Sequence, residues 1–258
     1  MPIITLTTDL GLKDYYVGAI KGTIYKHLKD VNIVDISHYI NRFDITQAAF
    51  VIKNVFQDFP KGTVHILGVR PNQNVQIKHV AVQYADQFFV GADNGIFSLF
   101  LDAAPQKVVR LESSELSTST FPTRDVFAAA AAHLAGGKKI ESLGESVNTL
   151  NQSTGPRAVL DESVIRGTVI YVDTYGNAIT NISKDMFEEI GQNRPFQIMF
   201  RMPNYEISTI SKAYDEVVEG ERLALFGSSG LLQISMNAGN ASQLLGLELN
   251  SSVTVQFI

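Results

Sequence analysis

Ile3-Ile4-Thr5-Leu6-Thr7-Thr8-Asp9-Leu10-Gly11, followed by Asp14-Tyr15-Tyr16-Val17-Gly18 and Lys21-Gly22, decides the fold of this chain. The first half is apolar and β-branched, the composition of a buried strand, and it ends on a carboxylate and a glycine. The second half places apolar residues at Val17, Ile20, Ile24 and Leu28, the spacing of a helix with one buried face. A strand therefore stops at Asp9, a short loop follows and a helix returns. In open α/β sheets ligands bind outside the carboxyl ends of the strands, which makes Asp9 a carboxylate placed for a ligand. Asp9 reads equally as a turn or N-cap aspartate, although Asp14 is the better start for the helix.

The same alternation continues. Val31-Asn32-Ile33-Val34-Asp35-Ile36 is a second strand, with Ser37 and His38 after it. Residues 43–56 read as a helix capped by Asp44 and broken by Pro60-Lys61-Gly62. Thr63-Val64-His65-Ile66-Leu67-Gly68-Val69 is a third strand, with Arg70-Pro71-Asn72-Gln73-Asn74 as the loop at its carboxyl end. Residues 80–84 and 87–91 form a hairpin turning at Ala85-Asp86. A turn at Asp93-Asn94-Gly95, a short helix through Leu101, a strand at 108–111 and an alanine-rich helix from Asp125 to Leu134 complete this half. Residues 146–156 are polar and linker-like. Beyond them come short strands at 164–172, 196–201, 205–210, 222–226, 231–236 and 253–258, with one helix at 184–189, a pattern of a small barrel or sandwich.

Composition narrows the function. The chain has 258 residues, 45% of them hydrophobic, enough to bury a substantial core. The net charge of −5 without a basic run argues against nucleic acid as a partner. There is no cysteine, so neither disulfides nor thiolate chemistry is available. No apolar run is long enough for a bilayer, and no signal peptide is visible, so a cytoplasmic protein without membrane attachment is expected. The five histidines form no i, i+4 pair and no metal motif; each reads as a surface or core residue, and no metal is expected. G-x-S-x-G, P-loop and G-x-G-x-x-G patterns are missing. Three polar clusters remain: Asp9 to Asp14; Ser119-Thr120-Phe121-Pro122-Thr123-Arg124-Asp125; and Tyr171-Val172-Asp173-Thr174-Tyr175-Gly176-Asn177 with Thr180-Asn181-Ile182. The third is either a β-turn or a ligand site whose carboxylate, aromatic face and carboxamide suit a ribose and a purine.

Read together, these clusters resemble a known family. Thr7-Thr8-Asp9-Leu10-Gly11 with Asp14 and Tyr16-Val17-Gly18, Phe59-Pro60-Lys61-Gly62-Thr63-Val64-His65 and Val90-Gly91-Ala92-Asp93-Asn94-Gly95 are similar to the N-terminal domain of the S-adenosyl-L-methionine (SAM) hydroxide adenosyltransferases, a family that includes fluorinases and chlorinases. Thr120-Phe121 with Arg124-Asp125-Val126-Phe127, Asp173 with Tyr175-Gly176-Asn177, and Ser228 with Gly230-Leu231-Leu232 and Asn237-Ala238-Gly239-Asn240-Ala241 resemble its other signatures. The fold implied is an α/β N-terminal domain over 1–150 with a mixed sheet flanked by helices, a linker at 151–163, and an all-β C-terminal barrel over 164–258. The resemblance also implies a homotrimer with SAM or adenosine bound at the subunit interface. SAM enters as substrate or ligand, and no separate cofactor is implied.

The residue roles come from the same resemblance. Asp9 would hold both ribose hydroxyls. Asp14 and Phe121 belong to the binding signatures, and Phe43 stands where the halogenases place a tryptophan beside the methionine moiety. Asp173 and Asn177 would lie near the methionine amino group and adenine, Tyr175 beside adenine, and Ser228 near the methionine carboxylate. Asn237 and Ala238 lie in the segment whose backbone reads adenine. The hydrolases of the family position water with an Asp, an Arg and a His; Arg70, about Ile77, and Pro122 stand there in this chain. Thr123 occupies the place of a serine beside the halide in fluorinases, so Thr123 and Arg70 are the candidates near the nucleophile. A cation in contact with a sulfonium is repelled by about 4 kcal/mol at an effective dielectric near 20, so Arg70 would face an anion or solvent. The activity implied is hydrolysis of SAM to adenosine and L-methionine by attack at C5′. A halide or anion adenosyltransferase, and a SAM- or adenosine-binding protein without catalysis, are the alternatives.

Overall fold

The structure is a computed structural model that describes residues 1–72, 74, 76–112, 119–200 and 205–258. Two compact units divide the chain, Met1–Gly155 and Pro156–Ile258.

The first unit begins with β1 (Ile3–Thr8), α1 (Tyr16–His27), β2 (Asn32–Ser37), α2 (Ile45–Lys53) and β3 (Val64–Gly68). It continues through β4 (His79–Tyr84), β5 (Gln87–Ala92), α3 (Ile96–Phe100), β6 (Lys107–Leu111), α4 (Ala128–Ala135) and β7 (Gly144–Ser146). Its strands form one mixed sheet in the order β2-β1-β3-β5-β4-β6-β7, parallel from β2 to β5 and antiparallel beyond. Strand alternation sorts side chains between the two faces. Ile4, Leu6, Ile66, Val90 and Ala81 pack with Ile20 and Ile24 of α1 and with α4. Leu67, Phe89, Val80 and Val82 face α2 and α3, where Phe56, Phe97 and Phe100 fill the space. Full burial of each such side chain contributes about 1.5–3 kcal/mol.

Local chemistry explains the boundaries. Asp44 caps α2 by accepting the Gln47 N–H at 2.9 Å, as expected. Ala85 and Asp86 both have positive φ, +51° and +59°, the geometry that matches hairpin twist. Asp14 is not the helix cap expected of it: Tyr15 occupies the N-cap position with no side-chain cap, and Asp14 is exposed in the preceding loop. The alanine-rich helix starts with a π-helical turn, Thr123–Phe127, before α4. In the stretch read as a linker, Asn151 donates its backbone N–H to both carboxylate oxygens of Asp93 at 2.9 and 3.0 Å.

The second unit contains β8 (Val159–Leu160), β9 (Val164–Val172), β10 (Ala178–Ser183), α5 (Lys184–Gly191), β11 (Phe196–Phe200), β12 (Arg222–Phe226), β13 (Leu231–Met236), α6 (Ala241–Leu245) and β14 (Ser252–Phe257). The path β11-β14-β9-β10-β13-β12 is a curled sheet that does not close, so the barrel expectation is corrected to a half-barrel. β9 carries the curl: residues 164–168 pair with β14 and residues 169–172 with β10. The expected strand at 205–210 is absent; Ile207 makes a single bridge to Ile198 of β11 and Ile210 one to Ala224 of β12. Thr180-Asn181-Ile182, which follow the third polar cluster, lie on β10, a core strand whose Ala178 and Ile182 are fully buried. Gln73 and Arg201, read as loop and strand residues, lie outside the described residues.

Candidate functional site

The first unit assembles its candidates at the carboxyl ends of β1 and β3. The chain leaves β1 through α1 on one face to reach β2, then returns through α2 on the other face to β3. Neighbouring strands whose connections depart to opposite faces form the switch point where open α/β sheets bind ligands. Asp9 directly follows β1, half-buried, and Oδ2 accepts the backbone N–H of Phe43 at 2.8 Å. Phe43 has φ +67° and an exposed ring. Arg70 lies two residues beyond β3 with φ +46°. Its carbonyl accepts from Asn94 Nδ2 at 3.0 Å, and its exposed guanidinium has no ion-pair partner among the described residues.

Thr123 is brought to the same edge. It is buried, and its side chain fills the space that Gly68 leaves open. A Cβ on Gly68 would meet Thr123 Cγ2 at 2.7 Å, Thr123 Oγ1 at 3.1 Å and Thr8 Cγ2 at 3.1 Å. The π-helical turn that carries Thr123 widens the helix start, a feature common at functional sites. Phe121 stands edge-on to Tyr16 with ring centroids 5.3 Å apart, and the Arg124 guanidinium lies 5.2 Å above its ring. Arg124 together with Ser119 holds the Asp125 carboxyl below the usual range against the opposing effect of partial burial. The neighbouring Tyr15 pushes the Tyr16 hydroxyl up. Asp14, exposed, makes no side-chain hydrogen bond among the described residues.

Ile77 and Pro122, two of the positions set against the water-positioning triad in the sequence, carry apolar side chains. Ile77 packs against the apolar core on the α4 face, and the adjacent Lys78 gives its ammonium to the Asn74 carbonyl at 3.2 Å. Pro122 is buried and begins the π-helical turn. His79 is buried on the same face, donating Nε2–H to the Pro71 carbonyl at 2.7 Å. Burial holds its pKa below the ordinary histidine value.

In the second unit, Asp173, Tyr175, Asn177 and Ala238 line one cavity of about 680 Å³. Asp173 and Asn177 form the β-turn that was one of the two readings of their cluster. Oδ1 of Asp173 accepts the N–H groups of Tyr175 and Asn177, each at 2.9 Å, and Oδ2 accepts Asn177 Nδ2 at 2.8 Å. The Asn177 backbone carbonyl accepts the Asp173 N–H at 3.1 Å to complete the turn, its side-chain Oδ1 makes no hydrogen bond among the described residues, and Tyr175 stands exposed at the rim. Burial, with Asp173 nearby, raises the Tyr171 hydroxyl. Ala238, at φ +52°, is part of the cavity wall. Asn237 does not line the cavity; its Nδ2 anchors the Val217 carbonyl at 2.7 Å. Ser228 sits in the β12–β13 turn, at the far end of β13 from Met236, roughly 17 Å along the strand. Tyr214, Met236, Gly239 and Asn240 complete the lining; Gly239 and Asn240 belong to the Asn237–Ala241 signature, whereas Tyr214 and Met236 were not singled out as site residues in the sequence. Asn240 was discoverable as the cap of α6, where it accepts the Gln243 N–H at 2.9 Å; Tyr214 carries no local signal.

Among the described residues no three His, Asp or Glu side chains are grouped to hold a metal, and no helix is long and apolar enough to cross a membrane. Comparison with known proteins bears on this geometry. The family model described as SAM hydroxide adenosyltransferase N-terminal domain matches residues 4–144, and that for the C-terminal domain matches 167–254. A protein of Methanocaldococcus jannaschii named (R)-S-adenosyl-L-methionine hydrolase is 30% identical over 271 residues, 99% of this chain and 96% of that one. A fluorinase of Actinopolyspora mzabensis is 25% identical, covering 98% and 97%. The crystal structure of an uncharacterized conserved protein from Thermotoga maritima superposes with a TM-score of 0.88 at 29% identity, covering 99% and 100%. With both domain models matched in order over most of its length, this chain belongs to the SAM hydroxide adenosyltransferase family.

Proposed function

We propose that the protein hydrolyses S-adenosyl-L-methionine to adenosine and L-methionine. The observation that carries this reading is the near-full-length similarity to a relative named for that reaction. Water attacks C5′ in line with the departing sulfur. A C–O bond forms, the C–S electron pair returns to sulfur to give a neutral thioether, and the water proton passes to solvent. A neutral leaving group needs no general acid, so the protein acts by aligning the reactants and excluding bulk water. Asp9 holds the ribose diol with its outer carboxylate oxygen and remaining lone pairs. Thr123 orients the nucleophile. Asp14, Phe43 and Phe121 serve the first-unit side of the ligand, and Asp173, Tyr175, Asn177, Ser228, Asn237 and Ala238 the second-unit side.

The assembly in this reading is a homotrimer in which the first unit of one protomer meets the second unit of its neighbour around SAM. Support comes from the large apolar side chains exposed near Asp9, namely Leu12, Tyr15, Tyr39 and Phe43, and from the exposed Tyr175. The cytoplasm is the proposed place of action. Light scattering of the purified protein tests the trimer.

Arg70 favours a second reading. A free guanidinium where the hydrolases carry an aspartate suits an anionic nucleophile, whose charge cancels that of the sulfonium in the transition state. Incubation with SAM alone and with halides, followed by chromatography of the nucleosides, separates the cases. Adenosine supports hydrolysis, best checked with the separated sulfonium epimers, and a 5′-substituted nucleoside supports anion transfer. Tight nucleoside binding with neither product leaves a binding protein without catalysis.

A further inference from the structure

We propose that His38 is a positioning residue that holds the Asp9 carboxylate in the attitude that grips the ribose. This inference rests on the assignment of Asp9 to the ribose given above. Two contacts are made by His38 and a third by its partner Thr8. Its Nδ1 lies 2.7 Å from Oγ1 of Thr8. Its backbone carbonyl accepts the N–H of Gly11 at 2.7 Å. Oγ1 of Thr8 in turn accepts the N–H of Leu10 at 3.4 Å. Thr8 and Leu10 flank Asp9 in the chain and Gly11 follows, so the loop that presents the carboxylate is tied at both ends to one imidazole residue.

The protonation pattern follows from the far side of the ring. Nε2 of His38 lies 3.1 Å from Oδ1 of Asp35, close in distance but without hydrogen-bond alignment. The other oxygen of Asp35 takes the Lys21 ammonium at 2.6 Å. A carboxylate at that range places a ring proton on Nε2. In the neutral ring Nδ1 is then the acceptor and the Thr8 hydroxyl the donor. The order Asp35, His38, Thr8 thus runs from an exposed ion pair inward to the residue before Asp9.

Both branches of Thr8 are in use. Its hydroxyl is on His38, and its methyl lies against Gly68 beside the Thr123 side chain. A β-branched side chain occupied on both arms has one rotamer. His38 therefore sets Thr8, and Thr8 sets the register between Asp9 and Thr123. His38 is 3% exposed and Thr8 0%, so solvent does not replace these bonds when they are removed. A carboxylate that binds a vicinal diol depends on angle as well as distance, and small tilts weaken it steeply.

The experiment uses the full chain and two probes, adenosine and 2′,3′-dideoxyadenosine, which lacks both ribose hydroxyls. Thr8→Val keeps the shape and removes the hydroxyl, whereas Thr8→Ser keeps the hydroxyl. His38→Asn offers an amide oxygen near the Nδ1 position, and His38→Leu offers none. Calorimetry is expected to show adenosine affinity falling about tenfold in Thr8→Val and His38→Leu, with dideoxyadenosine within about twofold of the unmodified protein. Thr8→Ser and His38→Asn should stay near the unmodified protein. Equal losses for both nucleosides mean general damage and overturn the proposal, as does no loss for either. Where an apolar variant fails to fold, the imidazole nitrogen resonances of His38 in the unmodified protein decide: adenosine but not dideoxyadenosine should shift Nδ1, and the lack of any shift overturns the role. The parent reading is tested separately. If the unmodified protein does not prefer adenosine, Asp9 does not hold the ribose and both readings fall. If the preference exists and only Asp9→Ala abolishes it, the His38 role alone falls.

Discussion

The backbone N–H of Phe43 donates to Oδ2 of Asp9 at 2.8 Å, joining residues 34 apart in sequence. A non-glycine residue at φ +67° costs of order 1–3 kcal/mol unless its surroundings hold it there. The charge-assisted bond to Asp9 is one such restraint, and it commits one carboxylate oxygen to the protein, while the other makes no hydrogen bond among the described residues. Replacement Asp9→Ala is expected to lower SAM affinity tenfold or more, the equivalent of about 1.4 kcal/mol or greater. Asp9→Asn should lose less, because its amide oxygen still accepts from Phe43. Titration calorimetry checks both, and an unchanged affinity for Asp9→Ala would rule out the ribose placement.

Gly68 and Thr123 are matched in shape. Gly68→Ala would press a methyl to within 2.7 Å of Thr123 Cγ2 and 3.1 Å of Thr8 Cγ2. Overpacking of this kind costs about 1–3 kcal/mol. Turnover should fall with it if Thr123 orients the nucleophile as proposed, since the clash moves its hydroxyl. The double variant Gly68→Ala with Thr123→Ser, which removes the clashing methyl, should recover part of the melting temperature. No recovery would mean that the collision lies elsewhere.

In the second unit Gly176 is a position with no room for a side chain. Its φ is +82°, and a Cβ there would lie 2.2 Å from Cγ of Asn240, with the Gly176 carbonyl accepting the Ser242 N–H at 2.8 Å. Gly176→Ala is expected to displace α6 and open the cavity that holds Asp173, Tyr175 and Asn177. Nucleoside affinity should drop and the unfolding midpoint with it. Asn240→Ala relieves the clash but forfeits a helix cap worth about 1 kcal/mol, so it should restore binding more than stability.

Stability should depend on pH through His65. Oγ1 of Thr5 lies 2.7 Å from its Nδ1, and its Nε2 lies 2.6 Å from Oε1 of Gln87, whose amide nitrogen binds the carbonyls of Phe56 and Phe59. The Gln87 oxygen can only accept, so the ring carries its proton on Nε2 and takes the Thr5 hydroxyl at Nδ1. Burial lowers its pKa from 6.5 to about 4. The unfolded chain then binds the extra proton first. This contribution is complete above about pH 6.5 and is lost as pH falls toward 4, up to about 3 kcal/mol. His79 shifts in the same direction for the same reason. Urea unfolding across this window should show a slope that nearly one proton fewer accounts for in His65→Asn. An unaltered slope would place the effect on other groups.

Much of the first unit was legible because its signals are local. The run from Ile3 to Thr8, the apolar stripe of α1, the Asp44 cap and the Ala85-Asp86 turn each encode their own backbone through side-chain period or capping chemistry. The second unit was less legible. Its sheet depends on β9 changing partners midway, and on Ile207 and Ile210 making single bridges in place of a strand. Short apolar runs carry no information about which neighbours they meet. The cluster around Asp173 was visible as turn chemistry, whereas Tyr214 reached the same cavity from a segment with no pattern at all.

Residue order and composition alone were enough to mark the acid after the first strand and the family signatures, since both are matters of residue type at fixed spacing. Folding decided the rest: that Phe43 restrains Asp9, that Thr123 closes over Gly68, and that the second sheet curls without closing. Those facts arise from contacts between distant segments. Their energies depend on packing shape and hydrogen-bond angle, which come into being only when the strands and helices are assembled.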